Sequence, residues 1–77
     1  MSKIKDRAAR MRNLMRDEAF KELMQGVRTE QVGVFLDSNA TIENINQAHD
    51  MVKCLEKIER FIQAALDDEA VYDKQNS

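Results

Sequence analysis

Apolar residues recur at three- and four-residue intervals along most of this chain, in three runs separated by two polar interruptions. In the first run Ile4, Ala8, Met11 and Met15 form one stripe, Leu14 widens it, and basic side chains cover the other faces. Spacing of this kind places residues on one side of a 3.6-residue helix, so an amphipathic basic helix is predicted over residues 2–15. Asp17 then serves as N-cap of the next helix, Glu18 adds a favourable charge near that N-terminus, and Arg16 sits well at the end of the first. The change of sign at this junction is thus partly dipole chemistry.

The second run, residues 18–36, places Phe20, Leu23, Met24, Val27, Val34 and Phe35 on one broad face, flanked by Val32 and Leu36. Gly26 and Gly33 lie one heptad apart inside it, and each costs a helix about 1 kcal/mol relative to alanine. Their pairing predicts a crossing element packed closely beside both. The alternative is that Gly33 kinks or ends the helix, with a short extended piece after it. "DSNAT", residues 37–41, is a turn, because Asp, Ser and Asn bond their own backbone and Ser38, Asn39 or Thr41 can cap the next helix.

From Thr41 the longest run begins: Ile42, Ile45, Ala48, Val52, Leu55, Ile58, Ile62, Ala65 and Leu66, broadened by Met51, Cys54 and Phe61. A helix over residues 41–66 would be about 38 Å long at 1.5 Å per residue, with Glu56 and Arg60 placed as an i,i+4 pair. Asp67, Asp68 and Glu69 then carry the wrong sign for a helix C-terminus, so the helix is expected to stop there. Residues 67–77 read as an acidic and polar tail, solvated or anchored by Val71 and Tyr72.

These runs predict an all-α chain: a basic N-terminal helix (1–16), an antiparallel helical hairpin (17–66, turning near 37–41) and the tail. Leu23, Val27, Val52, Leu55, Ile58 and Ile62 are expected to bury the hairpin seam. The stripe on the third helix is wider than one neighbour requires. The surplus either completes a homo-oligomer or is covered by the first helix folding back. Composition favours the first outcome: 77 residues with no proline, two glycines, one cysteine and one histidine suit helix but supply neither disulfide frame nor zinc site. A chain of this length buries only about 60 % of its unfolded surface.

Charge sharpens the picture. Residues 1–16 carry six basic side chains against Asp6, a net +5, whereas residues 17–77 carry six basic and thirteen acidic ones, a net −7. Lys5, Arg12 and Arg16 share a face and, with Met51 and Phe61, form the expected partner interface. Their natural target is an acidic stretch such as 67–69 of a neighbouring subunit. A phosphate backbone is the alternative target, although no aromatic side chain lies in the basic segment for base stacking and the sequence pI is about 5.3.

No catalytic, cofactor or metal-binding set emerges. His49 and Cys54 are five residues apart, about 140° around a helix, too divergent for a nucleophile and its base. "DDE" at 67–69 lacks the alternating oxygen ligands and turn glycine of a calcium loop, and neither glycine follows a strand as a phosphate loop requires. The single cysteine and the lack of a signal-like or roughly 20-residue apolar segment fit a cytoplasmic protein that does not cross a membrane.

"RAARMRNLMRDEAFKELMQGV" followed by "VFLDSNATIENINQAHDMVKCLEKIERFI" resembles small helical proteins encoded by tailed bacteriophages, through Arg10 to Met15, Asp17, Phe20 and Met24, then Leu55 and Ile58 in order. The resemblance implies a phage accessory or virion-associated structural protein without enzymatic activity, found in host cytoplasm or virion, that assembles with itself or a larger phage protein. It transfers no functional residues. A nucleic-acid-binding accessory and an inhibitor or sponge of a host defence component are the other classes such a helical protein fits.

Overall fold

A computed structural model describes residues 2–77, leaving Met1, the first residue of the basic segment, outside the described residues. Three helices account for nearly all of it: α1 (Lys3–Arg16), α2 (Glu18–Leu36) and α3 (Ile42–Gln75), with no strand among the described residues. Each start has a local cause. The Ser2 hydroxyl accepts the Lys5 N–H, and the Asp17 carboxylate accepts the Phe20 N–H at 2.9 Å. Asp17 is extended (φ −70°, ψ 122°) and its own N–H donates to the Leu14 carbonyl, so one residue ends α1 and caps α2. Thr41 and Asn44 form a reciprocal capping box at the start of α3, at 3.0 and 3.2 Å. Between α2 and α3 the Asn39 N–H donates to the Asp37 side chain, the local bond that turns the chain.

α3 packs against both other helices. Lys5 of α1 reaches Asp73 and Met15 lies beside Ile62; in α2, Phe20 also lies beside Ile62, and Val34 lies beside Ala48. The Cα atoms span 56 by 22 by 14 Å, a rod little longer than the roughly 51 Å of α3 itself. The buried core is correspondingly small: Ala8, Ala48, Leu55, Ile62 and Ala65. Of the residues expected in the seam, Leu55 and Ile62 are buried, Val27 and Val52 are half-buried, and Leu23 and Ile58 are exposed.

Two local expectations are corrected. α3 does not stop at Leu66 but runs to Gln75, so residues 67–75 are helix rather than tail. The acidic cluster is tolerated because α1 lies against it: Arg7 faces Asp68, Lys5 faces Glu69 and Asp73, and Arg12 faces Glu69. Lys74 adds a favourable charge in the last turn. Among the described residues no crossing element lies beside the glycines of α2. A Cβ built on Gly26 or Gly33 would meet nothing within 4 Å, and the helix passes through both without a break or a positive φ.

Candidate interaction surface

Counted from buried Leu55 at about 100° per residue, Met51, Ile58, Cys54 and Phe61 fall on one flank of α3, all within about 120°; Val52, Glu56, Glu59 and Gln63 fall on the other. The grooves between helices follow the same division. On the apolar flank, Met51 and Gln47 line a groove with Gln31 and Val34 of α2. On the other flank, Glu59 and Gln63 line one with Lys21, Gln25 and Arg28 and with the apolar Met15, Phe20, Met24 and Ile62, where Arg28 and Glu59 form an ion pair. Leu23 and Val27 share the side of α2 that carries Val34, and Ile4 and Arg7 of α1 line a small cleft with Ala65 and Asp68. An exposed apolar patch of Met51, Cys54, Ile58 and Phe61 thus runs along one flank of the middle of α3, while the groove on the other flank mixes apolar and charged side chains.

The apolar side is open to solvent. Leu23 and Phe61 are each 61 % exposed, Ile58 44 % and Met51 43 %. The Arg7 guanidinium sits 4.8 Å from the centre of the Phe61 ring and 3.7 Å from Asp68, covering part of the patch with charge. Helix α1 folds back along the C-terminal part of α3, where Ala8, Ile62 and Ala65 are buried, and leaves Met51, Ile58 and Phe61 exposed. Met51 and Phe61, singled out from the sequence, thus lie together on this side, and Cys54 is an exposed thiol among them.

The basic residues meet a different end. Glu69, whose side chain is only 13 % exposed, takes hydrogen bonds from both Nη atoms of Arg12, one of them at 3.4 Å, and lies 3.5 Å from Lys5 Nζ. Lys5 donates to Asp73 at 2.7 Å. Hydrogen bonding from Arg12 holds the Glu69 carboxyl below the usual carboxylate range against the opposing effect of desolvation. The bond to Asp73 raises Lys5, and the bond to Glu69 raises Arg12. These ion pairs, expected between subunits, form within the chain. Arg16 joins none of them, and Lys3 and Arg10 make no ion pair among the described residues. The sequence signals both signs of charge but not that one acidic turn of the same chain would absorb three of the six cations.

No group of His, Cys, Asp and Glu able to hold a metal ion occurs among the described residues, and no helix is long and apolar enough to cross a membrane. Comparison of the chain with protein-family models, with curated proteins and with solved structures gives no match.

Proposed function

We propose that this chain is a non-enzymatic protein–protein interaction module that self-assembles, the part played by a phage accessory or virion-associated protein of the kind its sequence resembles. In this reading the helices form a hairpin whose first arm is broken at Asp17, and oligomerisation completes it. The observation that carries the reading is the imbalance between core and surface. Among the described residues only two large side chains, Leu55 and Ile62, are buried, while Leu23, Met51, Ile58 and Phe61 stay open to solvent. A 77-residue chain without disulfide or metal needs more apolar burial than that to be stable, and a second surface of the same kind supplies it.

Assembly coupled to folding makes stability depend on protein concentration. The thermal midpoint of the chain, followed by circular dichroism, is expected to rise with concentration over two orders of magnitude. A midpoint independent of concentration refutes the reading.

A further inference from the structure

Building on the interaction-module reading, we infer that the occupant of the apolar side is a second copy of this chain, laid face to face and end to end reversed about a two-fold axis across the rod near Ile58. Three observations select that arrangement. The patch is open: Leu23 and Phe61 are each 61 % exposed, Ile58 44 % and Met51 43 %, so a facing copy would bury apolar surface that this chain leaves to water. It is also centred on the middle of α3, where Met51, Cys54, Ile58 and Phe61 are all exposed on one flank, so a copy turned about Ile58 meets a like surface, as an isologous contact requires.

The third observation is charge, which decides the direction. The end built from residues 2–16 and 61–77 holds seven basic and five acidic side chains, a net +2; the turn end, residues 17–60, holds five basic and nine acidic ones, a net −4. A two-fold axis along the rod would stack like ends on each other. An axis across it sets each positive end over a negative one and brings α3 against α3 at Ile58, Phe61 and Cys54. The internal pairing of Lys5, Arg7 and Arg12 makes this possible, because it neutralises the acidic end of α3 and leaves Lys3 and Arg10 in excess there. A second exposed apolar group, Val32, Phe35, Leu36, Ile42 and Ile45, gathers around the turn. A two-fold contact through it would set two net-negative turn ends against each other.

The test uses the whole chain and its own thiol. Cys54 should lose reactivity toward a disulfide reagent in proportion to the fraction assembled, and Ile58→Glu should return the chain to monomers while Leu36→Glu does not. Helical content is checked for both variants, and the Cys54 measurement on the unmodified chain holds even if Ile58→Glu fails to fold. A Cys54→Ser, Ser77→Cys chain carrying a spin label should give an inter-label distance on the order of the 56 Å rod length. Assembly with Cys54 still fully reactive, or dissociated by Leu36→Glu alone, or with labels within about 20 Å, overturns this arrangement and leaves self-assembly standing. A chain that never assembles overturns both.

Discussion

Replacing Gly26 and Gly33 together with alanine tests the description of α2 at its least intuitive point. Both glycines lie inside a continuous helix, without positive φ, and beyond the local helix backbone and adjacent residues no atom of the described residues lies within 4 Å of the position an added Cβ would take. Alanine therefore gains its full propensity advantage with no steric offset, about 0.8–1.0 kcal/mol per site. The sites are seven residues apart and share no partner, so the effects should add to about 2 kcal/mol. For a domain of this size that corresponds to a rise of about 8–16 °C in the thermal midpoint. Thermal or urea unfolding followed by circular dichroism, on single and double variants at one protein concentration, reads it directly. Gly26 shares a shallow surface hollow with Leu23 and Val27, so sedimentation of the same samples separates a gain within the helix from a change in assembly. A midpoint that stays level or falls refutes the reasoning and places a closely packed backbone against α2, as the spacing of the glycines suggests.

Two further perturbations probe α1 and the core. The Glu69 carboxyl is held below its ordinary value of 4.5 by Arg12, so its contribution is complete above that pH and is lost as pH falls through the lowered value; Lys5, raised above 10.5, contributes fully below that pH and less above it. The protection of α1 amides against hydrogen exchange, relative to the intrinsic exchange rate at each pH, should therefore be greatest between those limits and fall in acid before that of α2, and Glu69→Gln should remove the acid limb; an unchanged profile in the variant would contradict the assignment. Leu55→Ala, at one of the two large side chains buried among the described residues, should cost about 2–5 kcal/mol. That is a large share of the total for 77 residues, and a urea midpoint moved by less than the equivalent of about 1 kcal/mol would show that Leu55 is not the core.

Much of this architecture is legible in the residues themselves. The period of the apolar stripes, the cap at Asp17 and the polar turn at 37–41 act through neighbours in sequence, so α1, α2 and the start of α3 fall where the pattern places them. The end of α3 does not, because its stability past Leu66 depends on cations some sixty residues away that reach Asp68, Glu69 and Asp73. Local dipole reasoning sees only the repulsion. The glycines mislead for a related reason: a residue without a side chain marks a position where close packing is allowed, not one where it occurs. Met51 and Phe61 are recognisable as stripe-broadening residues, but their place on one flank with Ile58 and Cys54, opposite Glu59 and Gln63, depends on which arc of α3 its neighbours bury.

The central claim is that this rod does not remain alone, and sedimentation equilibrium of the unmodified chain tests it most directly. Self-assembly predicts a molar mass that climbs with concentration from the 8.9 kDa of one chain toward twice that value. A single 8.9 kDa species across the whole range, with helical content intact, would contradict it.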